Sequence, residues 1–190
     1  QQIFQSSDAH GGQYAAEIKT EFLGDSVGIM TGAFSNAEFQ FDIGALVGGT
    51  PIDEALGYSG GEPITAQVDS VSAWIKMDAN NTDDGAILVQ AVKTYQGSNG
   101  DSTVAVGEGY FTIPSATTTT YTQFAVPLNY PDPNAVPDHL VVVFTSSSII
   151  GTQTVDNSMK VDDVSYSYAG PNSIWQPLFS EKKLLVYPVP

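Results

Sequence analysis

The chain has 190 residues and a formal net charge of −15, with lysine as its only strong cation (six of them) and no cysteine. Without a guanidinium to clamp phosphate, and with an acidic surface, it is a poor partner for nucleic acid or anionic lipid. Disulfides and thiolate metal sites are excluded, and no apolar run approaches the ~20 residues of a membrane helix.

The chain opens at Gln1 rather than Met, as expected of a mature form that has lost a signal peptide. From there, apolar residues alternate with small or polar ones in runs bounded by Gly, Pro, Asn, Asp and Ser, the pattern of half-buried strands. Nine such runs follow in order: "QYAAEIKTEF", "SVGIMTG", "AEFQFDI", "QVDSVSAWIKM", "AILVQAVKTYQ", "STVAVGEGYFTI", "YTQFAVPLN", "HLVVVFTSS" and "MKVDDVSYSY". In the first, Tyr14, Ala16, Ile18 and Phe22 are expected on one face and Glu17, Lys19 and Glu21 on the other. The only helical candidate is a single turn in "PIDEALGYS". That many strands without covering helices must pack sheet on sheet or close into a barrel, and the spacing predicts an all-β, two-sheet antiparallel β-sandwich of jelly-roll type. This jelly-roll domain is expected over residues 1–168. A Pro- and Gly-containing linker, "AGPNSIWQPLFSEKK", covers 169–183, and an apolar segment, "LLVYPVP", covers 184–190.

Four short motifs carry possible chemistry. "GYSGG" (Gly57, Ser59, Gly61) has the spacing of a nucleophile elbow. No helix pattern follows it, and only His10 and His139 are available as bases, so a flexible Gly-rich loop is the expected structure. "DANNTDDG" offers oxygen ligands at Asp78, Asn80, Asp83 and Asp84, but Val89 stands where a calcium loop needs its closing Glu, and a hairpin turn accounts for the same residues. "VDDV" (Val161–Val164) places two carboxylates inside a strand. Alternation sends one of them to the side of Val161, where it needs a cation or several donors. Either a structural Ca2+ bridging Asp163 to the Asp8–Gly12 loop, with Asp8 nearby, or a hydrogen-bonded structural Asp satisfies that demand. Finally, Trp74 shares its strand face with Ser72 and Lys76 while Ala73, Ile75 and Met77 take the other. An aromatic ring among polar neighbours suits stacking on a pyranose. Trp74 and Lys76, with Tyr95, Tyr110 and Tyr121, are the candidate ligand-binding residues.

"DAHGGQYAAEIKTE" resembles the opening strand of carbohydrate-binding-module-like jelly rolls, and "MKVDDVSYSY" resembles their closing strand. With "EPITAQVDSVSAWIKM", "YTQFAVPLNYPDPNAVPDHLVVVFTSSS" and "DNSMKVDD" between them, residues 8–168 resemble the carbohydrate metabolism domain family of secreted Bacteroidetes-type proteins. The resemblance implies a jelly roll, export, a link to glycans, and a structural calcium between the N-terminal segment and the last strand, matched here at Asp163. "LLVYPVP" resembles the first strand of a type IX secretion sorting domain, and is expected to be the truncated start of one.

These readings point to a non-catalytic carbohydrate-binding or surface-adhesion module, secreted or at the cell surface, that binds a glycan or polysaccharide and belongs to a larger secreted protein. No membrane insertion and no catalytic residues are expected. A glycoside hydrolase-like enzyme needs two carboxylates about 5–9 Å apart in a cleft, a distance only a structure supplies. A structural spacer domain is the third possibility.

Overall fold

The computed structural model describes residues 2–25, 28–41, 56–78, 81–96, 102–147, 153–168 and 175–177. In chain order the strands are β1 (Ile3–Ser6), β2 (Ala15–Lys19), β3 (Glu21–Phe22), β4 (Ile29–Met30), β5 (Ala33–Ser35), β6 (Ala37–Phe41), β7 (Leu56–Gly60) and β8 (Glu62–Pro63). They continue with β9 (Val68–Met77), β10 (Gly85–Tyr95), β11 (Ser102–Ile113), β12 (Thr122–Pro127), β13 (His139–Thr145), β14 (Ser158–Tyr168) and β15 (Trp175–Pro177). No helix among the described residues is long and apolar enough to cross a membrane.

All named pairings are antiparallel, and two sheets carry the fold. One runs β1-β2-β14-β9-β12, with β15 also on β14; the other runs β11-β10-β13-β5, with β8 also on β13. Take β2, β5 and β9–β14 as the eight main strands. The first, eighth, third and sixth form one sheet, and the second, seventh, fourth and fifth form the other, which is the double Greek key of a jelly roll. Period-two alternation explains how the sheets meet. Ala73, Ile75 and Met77 of β9 and Met159 and Val161 of β14 face Ile87, Val89 and Ala91 of β10 and Leu140, Val142 and Phe144 of β13 in one buried cluster. Each of the larger side chains among these contributes about 1.5–3 kcal/mol of burial.

Each of the nine expected runs contains a strand, "SVGIMTG" only Ile29–Met30, but two local expectations fail. In the first run only Ala16 and Ile18 keep the inward register: Ile18 is fully buried, whereas Tyr14 and Phe22 are both 53% exposed. The strand breaks at Thr20, whose N–H donates to the Asn157 carbonyl and whose Oγ1 lies 3.0 and 2.8 Å from the Ser146 and Ser147 hydroxyls. That buried polar junction resets the face of everything after it. The "GYSGG" run is not a loop but part of β7, paired with β6 so that Glu38 lies opposite Ser59. Gly60 and Gly61 have φ of +89° and +102° and lead straight into β8, so Ser59 lies in a strand and no elbow exists. Residues 51–55, where the single helical turn was expected, lie outside the described residues.

In "DANNTDDG", where Ala79 and Asn80 lie outside the described residues, the side chains of Asn81, Asp83 and Asp84 tie neighbouring segments together. Asp83 accepts from the Thr154 N–H and hydroxyl, Asp84 from the Ser115 N–H and hydroxyl, and Asn81 exchanges two hydrogen bonds with the Ser158 backbone. Within the stretch expected as linker, Trp175–Pro177 pairs with Ser165–Ser167 of β14. The remainder of 169–183 and the whole of 184–190 lie outside the described residues.

At the entry to β13, burial alone would raise the Asp138 carboxyl. The Thr94 N–H at 2.9 Å, His139 and Lys93 outweigh it and hold the group below its ordinary value. A depressed native pKa contributes stability above the unfolded value, and that contribution is lost as pH falls through the native one. Asp138→Asn is therefore expected to cost about 1 kcal/mol near pH 7, with the gap between variant and parent closing below pH ~4. Melting temperatures of the pair from pH 7 to pH 2 check this; a pH-independent gap would show that the charge plays no part.

Candidate functional site

The outer face of the β1-β2-β14-β9-β12 sheet is where the candidate residues gather. Glu17 of β2 lies opposite Lys160 of β14, which in turn lies opposite Lys76 of β9. Like charges directly opposite each other repel, and the two ammoniums are reconciled by Asp8, from the loop between β1 and β2. Its Oδ2 is 2.7 Å from Lys76 Nζ and 3.7 Å from Lys160 Nζ. Glu17 completes the row, 3.9 Å from Lys160 and 3.3 Å from Lys19. The Lys76 hydrogen bond holds the Asp8 carboxyl below the usual carboxylate range. The Tyr121 hydroxyl donates to the Asp8 carbonyl at 2.6 Å. Burial, and after it the nearby carboxylates, pushes the Tyr121 phenol up, so it remains a donor at any physiological pH.

The adjoining register pairs Asp162 with Trp74. Strict alternation would send Asp163 inward with Val161. Instead the ladder shifts between Asp162 and Ser165, and Asp163 adopts φ of +45°, a left-handed conformation that Asp tolerates better than most residues. The bulge lets both Val161 and Val164 reach the core and swings both carboxylates outward. The expectation that one Asp faces the core side is corrected on that ground.

Each carboxylate then takes a separate part of the Asp8–Gly12 loop. Asp162 Oδ2 accepts the His10 N–H at 2.8 Å and the Gly11 N–H at 3.0 Å, while its Oδ1 accepts the Asp163 N–H at 2.9 Å. Asp163 Oδ2 lies 2.9 Å from His10 Nδ1. The imidazole lies flat on the indole of Trp74, with centroids 3.7 Å apart and planes 10° from parallel, and Tyr121 is tilted beside it at 5.9 Å. A Cβ at Gly11 would come within 2.8 Å of Asp163 Oδ2, so a larger residue there would push that carboxylate aside.

Of the five candidate ligand-binding residues, three converge here: Trp74, Lys76 and Tyr121. Tyr95 and Tyr110 lie on β10 and β11 of the other sheet, 53% and 62% exposed. The sequence pointed to the Asp8–Gly12 loop and to "VDDV", but not to the His10 ring or to Asp162 as the acceptor of the loop's amides. The doubled Asp in a late strand was the available signal.

The geometry does not suit the calcium expected at Asp163 and Asp8. A hard cation needs oxygen donors turned toward it. The loop turns amide hydrogens toward Asp162, the Asp8 carboxylate already faces two ammoniums, and the Asp8 carbonyl is taken by Tyr121. Among the described residues no three His, Cys, Asp or Glu side chains are grouped closely enough to hold a metal ion. The demand for donors at "VDDV" is met by hydrogen bonds.

No family model and no curated protein matches the chain. Among solved structures it is similar to the K1 cleaved adhesin domain of Lys-gingipain from Porphyromonas gingivalis W83, at 17% identity over 88% of this chain and 83% of that one, with a TM-score of 0.41.

Proposed function

We propose that this jelly roll is a non-catalytic carbohydrate-binding or surface-adhesion module of an exported protein, and that Trp74 is its stacking platform. The observation that carries the reading is the half-buried indole on a polar sheet face, stacked flat on a ring whose edge is hydrogen-bonded to Asp163. A pyranose needs that combination: an apolar face to cover its C–H surface and polar groups at its rim. A hydrolase reading is less well supported here. Its general acid must hold a proton near neutrality, whereas the Asp8 carboxyl is held low by Lys76. Glu62, raised by burial, stands on the other sheet.

Retardation in gels containing soluble xylan, mixed-linkage β-glucan or galactomannan tests the proposal. Trp74→Ala is expected to weaken binding at least about tenfold, the scale of losing one aromatic platform, while Tyr110→Ala on the other sheet leaves it unchanged. Absence of retardation on all three polymers, or equal binding by Trp74→Ala, would sink the reading.

A further inference from the structure

We infer that His10 is an internal occupant of the Trp74 slot, and that a saccharide binds by displacing the imidazole rather than by adding to it; this rests on the reading of Trp74 as a stacking platform. At 3.7 Å between centroids and 10° between planes, the imidazole fills the contact layer on that face of the indole, so no second ring can lie between them. The exchange is balanced. The flat C–H face of a pyranose replaces the imidazole on the indole, and one sugar hydroxyl donates to Asp163 Oδ2 where His10 Nδ1 now sits. Lys76 and Tyr121, already beside the slot, remain to meet the ring's other hydroxyls.

The two aspartates make the exchange local. Asp162 holds only the loop's backbone, through the His10 and Gly11 N–H groups, and Asp163 holds only the side chain. The imidazole can therefore rotate off the indole while the loop stays docked. It is an exposed side chain rather than a core one, a third of its surface being open to solvent, so leaving the slot carries it into water and not through packed protein.

If the slot is open only a fraction of the time, the apparent affinity falls by that fraction. Removing the occupant restores it. One stacked pair with one hydrogen bond sets the expected scale at about tenfold. Trp175→Phe leaves Trp74 as the sole tryptophan, since the chain has two, and serves as the parent. In that background His10→Ala is expected to raise acrylamide quenching of Trp74 and to tighten binding of the polymer, among soluble xylan, mixed-linkage β-glucan and galactomannan, that requires Trp74. His10→Phe, which keeps a ring but has no edge donor for Asp163, is expected to leave Trp74 more shielded than His10→Ala does. Thermal melts confirm that each variant is folded.

Unchanged quenching in His10→Ala would overturn the inference, because the imidazole would not be covering the indole in solution. So would weaker or unchanged binding by His10→Ala of a polymer whose binding Trp74→Ala abolishes; in that case the stacking platform stands and the occupant does not. If no variant, His10→Ala included, is retained by any of the three polymers, the platform itself fails and the displacement falls with it.

Discussion

Asp162→Ala is expected to lower stability by about 3 kcal/mol, because one carboxylate accepts three backbone N–H groups and hydrogen bonds to charged acceptors are worth roughly 1.5–3 kcal/mol each, less where water reaches them. At this chain length that is a fall in melting temperature of roughly 6–12 °C. Asp163→Ala removes only the His10 side-chain contact and places an alanine at φ of +45°, a loss of about 1–2 kcal/mol. The order of the two is the informative quantity. A calcium clasp through Asp163 would reverse it and would make the wild type sensitive to chelator, whereas a hydrogen-bonded clasp through Asp162 leaves the melting curve the same with and without chelator. Melts of the three proteins in calcium and in EDTA decide the matter, and a chelator-sensitive wild type would refute the amide clasp.

Gly32→Ala is expected to be still more damaging, at about 4 kcal/mol or beyond, because its obstacle is backbone. A Cβ at Gly32 would sit 2.6 Å from the Lys19 nitrogen and 2.7 Å from its carbonyl carbon, with the carbonyl oxygen also in contact. Neither side can yield cheaply. The Gly32 N–H donates to Ser146 Oγ and its carbonyl accepts from the Ser146 N–H, and Ser146 Oγ in turn touches Thr20. Gly12→Ala provides the contrast: with φ of +62° and open space around its Cβ, it costs about 1 kcal/mol from backbone strain alone. Denaturant midpoints for both measure the difference. A Gly32→Ala protein as stable as Gly12→Ala would mean that the backbone of Gly32 packs less tightly on Lys19 than described.

The parts of this fold legible in the sequence were those governed by repetition. β9, β10 and β11 run for ten to twelve residues, long enough for a strand pattern to stand out from chance, and the face of Trp74 followed from its neighbours. β8, β15 and β1 span two, three and four residues; their existence depends on a neighbouring strand offering an edge, not on a pattern of their own. At the site, proximity was legible and chemistry was not. "VDDV" and the Asp8–Gly12 loop could be paired from the demand a carboxylate makes inside a strand. The direction of the loop's peptide groups, N–H inward and not C=O, depends on dihedral angles no residue type encodes by itself. The bulge at Asp163 broke the alternation from which its face was inferred. His10 gave no signal alone, since its meaning lies in a tryptophan 64 positions later.

The His10 amide and the Asp162 carboxylate that receives it are 152 residues apart in the chain. On a ribosome adding about 5–20 residues per second, that interval is roughly 8–30 s. Until β14 is made, the first loop has no Asp162 to receive its amides and β2 lacks its long neighbour. The amide clasp is thus complete only when β14 is in place. Until then β9 keeps an open edge, a template for pairing with strands of other chains.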